Sequence, residues 1–171
     1  CLVTKLKGVV NNDSLEVFGQ LKFQYILADT AVNLTLSTNA NGSHLLIKNG
    51  NTTVYDNDLV NGSYTLQVAA NTVYDITFDN KYSISQINGY GSCKLDLKQL
   101  CYPSSLGKLI VGSGNNTTGT IEDLYKCIAL VDVNVNSNPN VVGDLAILAV
   151  KMLNFGRTSG TMHFQGTGTT N

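Results

Sequence analysis

The chain has 171 residues, of which 43% are apolar and only 13% charged, with a net charge of −1. That balance excludes a basic nucleic-acid footprint and an acidic tail, and the length suits one sizeable core or two small ones without a second full catalytic domain. Asn, Ser, Thr and Gly supply the polarity and suit turns, strand surfaces and wet hydrogen-bonded contacts, while no stretch reaches the apolar length of a membrane span.

The chain opens at Cys1 with no apolar signal segment ahead of it. Two readings stay open: the lipid-modified first residue of a bacterial lipoprotein, or a residue left after removal of an initiator Met. Leu2 to Val10 mixes apolar and basic residues without a clean period. It reads as an edge strand, or as an arm that pairs with a neighbouring subunit.

A period of two then sets in. Val17, Leu21, Phe23 and Tyr25 alternate with Gln20, Lys22 and Gln24, and Val32-Leu34-Leu36, Tyr64-Leu66-Val68 and Tyr74-Ile76-Phe78 follow the same rule. Each predicts a strand with one buried face. Leu45–Ile47 and Thr52–Tyr55 are shorter candidates. Asn41-Gly42, Asn49-Gly50 and Asn61-Gly62 are pairs that tolerate the positive φ of tight turns. Residues 1–81 therefore read as an antiparallel β-sandwich-like module, or a small barrel, of about seven strands.

Residues 82–171 carry a different signal. Leu97, Ile121 and Leu145 are evenly spaced, and Leu100, Leu124 and Leu148 keep the same interval. Gly119 with Gly143, Leu106 with Leu130, Leu109 with Val133 and Val111 with Val135 share that offset. The unit reads L-x-x-L-x-L, a polar loop, then G-[TD]-[IL]-x-x-L. A regular interval of that size predicts stacked coils, because one coil cannot bury its own apolar side. Tyr82–Ile87 should pair with the first repeat strand and close that end. The third coil reads as shortened, with Leu153 and Phe155 in strand positions, and residues 166–171 as a mobile tail.

From about Tyr82 to Met162 this pattern resembles bacterial leucine-rich repeats in which G-D-[IL]-x-x-L closes the polar loop, here GTIEDL from Gly119 and GDLAIL from Gly143. The opening CLVTKLKGVVNNDSLEVFGQLKF and the joint KLDLKQLCYPSSLGKLIV are similar to proteins of gut Bacteroidales and of the crAss-like phages that infect them. The resemblance implies a short leucine-rich-repeat solenoid of about three coils, in a virion or surface component with a structural or adhesive role. It carries over no catalytic residue. The asparagine ladder departs from the family pattern by being uneven.

Chemistry finds little support. His44 and His163 lack a paired nucleophile and no G-x-S-x-G elbow exists. Gly112-Ser113-Gly114 lacks the Lys-[Ser/Thr] of a phosphate loop. Cys1, Cys93, Cys101 and Cys127 lack zinc-ligand spacing, so free thiols are expected, with Cys127 packing as a buried hydrophobe. Asp56-Asn57-Asp58 is oxygen-rich, yet Val60 and a missing terminal Glu favour a plain hairpin over calcium. Paired carboxylates for glycoside hydrolysis could only come from residues such as Glu16, Glu122 and Asp123.

The expectation is thus no enzyme, no cofactor and no metal. Outward residues of the repeat strands, Lys108, Ile110, Asp132, Asn134, Asn136, Met152 and Asn154, form the candidate partner-binding row. Partners would be other virion or surface proteins, a second copy in a homo-oligomer, or a host surface protein or glycan. A virion decoration or fibre component is the first expectation for function. A bacterial surface lipoprotein adhesin is the second.

Overall fold

The computed structural model describes residues 19–26, 33–89, 92–100, 105–112, 116–157 and 159–170. Before residue 81 lie β1 (Leu21–Ile26), β2 (Leu34–Thr38), β3 (Ser43–Asn49), β4 (Thr52–Leu59), β5 (Ser63–Leu66) and β6 (Val73–Phe78). After it come β7 (Ile84–Asn88), β8 (Ser92–Lys94), β9 (Lys108–Ile110), β10 (Gly119–Thr120), β11 (Asp132–Asn134), β12 (Val141–Asp144), β13 (Thr161–His163) and β14 (Gly168–Thr170). Helix α1 spans Leu145–Asn154, and short 3-10 turns cover Leu97–Leu100 and Ile121–Lys126. The chain is mainly β, in several sheets. The N-terminal arm, Cys1, Glu16 and Cys101 lie outside the described residues.

The alternation read in the first strands is the burial pattern observed. Leu21, Phe23 and Tyr25 are buried in β1, Leu34 and Leu36 in β2, and Tyr74, Ile76 and Phe78 in β6. The pairing is less local than the turn pairs suggest. Asn49-Gly50 does close a hairpin between β3 and β4. Asn41-Gly42 and Asn61-Gly62 instead carry the chain from one sheet to another, since β2 and β5 pair with each other and not with β3 or β4. Backbone bonds hold these crossings together, with the Thr38 amide donating to the Gly62 carbonyl at 2.8 Å and the Asn61 amide to Asn39 at 2.8 Å. The dipeptides specify the bend. Which edge the next strand finds is set by the buried faces.

One sheet has the order β4-β3-β6-β1-β8 and another the order β13-β11-β9-β7-β2-β5. In the second, β2 pairs antiparallel with β7, after which β7, β9, β11 and β13 run parallel. A three-stranded sheet, β10-β12-β14, is also parallel, and the bridge Asp96↔Thr118 ties it to the segment that follows β8. From β7 onward the chain therefore makes circuits. Each leaves the six-stranded sheet, crosses to the other layer and returns, the first three through the two 3-10 turns and then α1. The evenly spaced apolar positions of the second half line the interior, with Leu97, Ile121, Leu106, Leu130, Leu109, Val133, Val111 and Val135 all fully buried. Buried side chains from Leu21 and Phe78 through Ile87 to Leu130 and Leu148 form one cluster.

The end of the chain corrects two expectations. Gln86, Lys108, Asp132 and Thr161 stand in one register, so the circuit from Asp132 to Thr161 is longer, not shorter, than the two before it. Leu153 lies on α1 and Phe155 caps it, while the strand is Thr161–His163. The apolar run LAILAVKML has the length and helix-forming residues for more than two turns, and Asp144 caps its start. The expected tail is paired instead, with Gly168–Thr170 running parallel to Val142–Asp144.

Candidate interaction face

Strand register defines the face opposite the core of the six-stranded sheet. Tyr64, Leu36, Ile87, Leu109, Val133 and Met162 lie in one row, directed into or against the core. The flanking residues must then point to the other side. They form one row of Ser63, Ser37, Gln86, Lys108, Asp132 and Thr161, and a second of Thr65, Thr35, Asn88, Ile110, Asn134 and His163. At about 4.8 Å per strand, six strands span about 24 Å between outer axes. The face is wider than the repeat strands alone provide, because β2 and β5 continue it.

The predicted row residues fall in three groups. Lys108 and Asp132 do stand side by side, with Lys108 Nζ 3.0 Å from Asp132 Oδ2 and both side chains about one-third exposed, at 38% and 35%. An ion pair this accessible adds little stability, about 0–1 kcal/mol, but it holds two charged heads in the middle of the face. Asn134 and Asn136 belong to the same surface and are tied to backbone. Asn134 Oδ1 accepts from the Asn136 amide at 3.1 Å, and Asn136 Oδ1 accepts from the Gln165 amide at 2.7 Å. Asn136 thus links one circuit to the next, as well as edging the face.

Ile110, Met152 and Asn154 depart from expectation. Ile110 is only 4% exposed, yet it stands apart from the core cluster, flanked by Asn88 and Asn134 on the neighbouring strands. It is a buried apolar spot within a polar face. Met152 is on α1 and turned into the core, and Asn154 is exposed at the end of that helix. A helix inserted where a strand was expected removes both from the sheet, and Thr161 and His163 take their places.

The titratable groups elsewhere are held in structural bonds. His44 on β3 sits opposite β4, with Nδ1 2.7 Å from Asp58 Oδ1 and Nε2 2.7 Å from Asp56 Oδ1. These carboxylates stand in an extended strand and grip the imidazole, so Asp56-Asn57-Asp58 is no loop. The bond to Asp58, then that to Asp56, raises the His44 pKa above its ordinary 6.5. Both ring nitrogens are occupied, and the neighbouring Ser43 hydroxyl donates to Asp79 at 2.8 Å, so no nucleophile and base meet there.

Glu122 Oε1 accepts from the Asp144 amide at 2.8 Å, and Asp144 in turn caps α1, so this carboxylate pair stitches circuits together. Cys93 is a free, fully buried thiol whose pKa burial pushes far up, which leaves it without thiolate reactivity. Cys127 is buried as expected, and its thiol donates to the Leu100 carbonyl at 3.1 Å. Among the described residues no group of three or more His, Cys, Asp or Glu is placed to hold a metal, and no helix is long and apolar enough to cross a membrane.

Asn138 was not singled out by the sequence. It is fully buried, accepts from the Thr117 amide at 3.0 Å and donates to the carbonyls of Val135, Asn136 and Val111 at 3.0, 3.0 and 3.2 Å. In a chain so rich in Asn, nothing local marks this one. The chain matches no protein-family model, no curated protein and no solved structure.

Proposed function

We propose that this is a non-catalytic interaction protein that engages its partner through the outer face of the six-stranded sheet, on a framework of short leucine-rich-repeat coils capped by the antiparallel strands. The observation that carries this reading is the pair of polar rows in strict register over about 24 Å, centred on Lys108, Asp132 and Asn134 around the buried Ile110. The repeat assignment is supported by the parallel circuits from Gln86 to Lys108 and from Lys108 to Asp132, whose Leu, Ile and Val positions face inward. Its setting in this reading is a phage virion, as decoration or fibre component in contact with other virion proteins or with the host surface.

A bacterial surface adhesin is the second reading. It is favoured by the Ser, Thr, Asn and Gln side chains of the face, which match the donors and acceptors of sugar hydroxyls. Purified phage particles and the bacterial outer-membrane fraction, compared by mass spectrometry with the mass of the Cys1 peptide recorded, separate the two. Fixed stoichiometry in particles with unmodified Cys1 is the virion outcome, and a lipidated Cys1 in membranes is the adhesin outcome. The face itself is tested by the double variant Lys108→Ala and Asp132→Ala, expected to fold normally and to lose retention on the particle or cell at least about tenfold. Unchanged retention would remove the face from the function.

A further inference from the structure

We propose that the exposed side of α1 is a docking surface for a second copy of this chain, which packs α1 against α1 about a two-fold axis. The helix is apolar almost all round, with only Lys151 and Asn154 polar within Leu145–Asn154. Leu148 and Met152 face the core, while on the opposite side Ile147 is 47%, Val150 57% and Leu153 64% exposed. A helix apolar on both sides is one that something covers.

The place of this patch in the fold says what kind of cover is missing. Each earlier helical segment is shielded by the next: Leu97–Leu100 packs against Ile121–Lys126, and Ile121–Lys126 against α1. Beyond α1 the chain adds β13 and β14 but, among the described residues, no further helical segment. Ile121–Lys126 also carries Glu122, Asp123 and Lys126, so the all-apolar character belongs to the last segment alone.

A second copy fits this gap in one way. Head-to-tail stacking would need free edges at the first circuit, but β2 covers β7 and β1 covers β8. A two-fold contact instead sets the patch on itself. Ile147, Val150 and Leu153 recur at threes along one stripe, and Ala146 and Ala149 beside them allow two helices to approach closely. The one cation of the helix, Lys151, lies over the Tyr125 ring at 5.0 Å, so the stripe offers no charge to select an acidic partner. β13 and β14 are the sheet edges at the same end, and the two-fold presents each to an antiparallel mate.

This deepens the assembly part of the proposed function by naming a partner, and it rests on no property of the polar face. Sedimentation equilibrium of the full chain from micromolar to several hundred micromolar is expected to show a monomer–dimer equilibrium. Val150→Glu and Leu153→Glu, both at exposed positions, should leave the circular dichroism spectrum unchanged and weaken dimerisation at least about tenfold. The Lys108→Ala, Asp132→Ala double variant should dimerise like the wild type. A monomer at every concentration would overturn the proposal and assign the helix to another segment or another chain. A dimer indifferent to both glutamate variants would overturn it equally, while failure of retention alone would count against the polar face and leave this contact standing.

Discussion

His44 shows how strand register makes a local electrostatic device from residues that are distant in the chain. Pairing of β3 with β4 sets His44 opposite Asp58, and Asp56, two positions back on the same face, reaches the other ring nitrogen. The folded pKa is raised, so the stabilisation is fully present below the ordinary value of 6.5 and is lost as pH rises through the folded value. Urea midpoints of wild type and His44→Ala should therefore differ most below pH 6.5 and converge in alkaline solution; a constant gap would contradict the linkage. The glycines that recur with the circuits have a related logic. Gly119 and Gly143 have φ of +110° and +128°, and a Cβ at Gly143 would run into Glu122 Oε2 and come within 2.8 Å of Ile121 Cγ1. The repeat keeps glycine where one circuit lies directly on the circuit before it. These glycines were legible as a period, but Asn138 was not, because its importance comes from four backbone groups that only stacking brings around it.

Among the elements, α1 departs furthest from the sequence reading. Its apolar residues satisfy a strand template and a helix template alike over a short run, and the expectation of a third short coil tipped the choice. What decides it is length between fixed points: register sets Asp132 of β11 beside Thr161 of β13, and the chain between them has room for almost three helical turns in α1. Asp144 makes the helix start sharp, its Oδ1 accepting from Ala146 and Ile147 at 2.8 and 3.0 Å. Asp144→Ala should cost about 1 kcal/mol in a denaturant titration, with loss of signal at the helical wavelength. Loss of stability with the helical signal intact would place the effect in the Glu122 contact instead. The turn dipeptides carry the converse lesson. They located bends correctly, while two of the three bends join strands in different sheets, a choice that local turn chemistry does not contain.

At the scale of the molecule, strands from both sides of residue 81 share sheets and one buried cluster. β2 pairs with β7 and β1 with β8, so the antiparallel strands cover the first circuit directly. Apolar contact continuous across that junction predicts one cooperative transition, with tyrosine fluorescence and far-ultraviolet circular dichroism giving coincident urea curves. Two separated transitions would show that the halves fold independently. The sequence by itself determined the mainly β character, the inward residues of the early strands and the inward positions of the circuits, because strand alternation and the longer repeat are properties of the chain that packing can only obey. Only the tertiary structure decided the pairing order of the sheets, the burial of Ile110, the width of the polar face and the exposure of α1. Each of those depends on which distant segment arrives alongside, and a pattern along one strand holds no record of its neighbour.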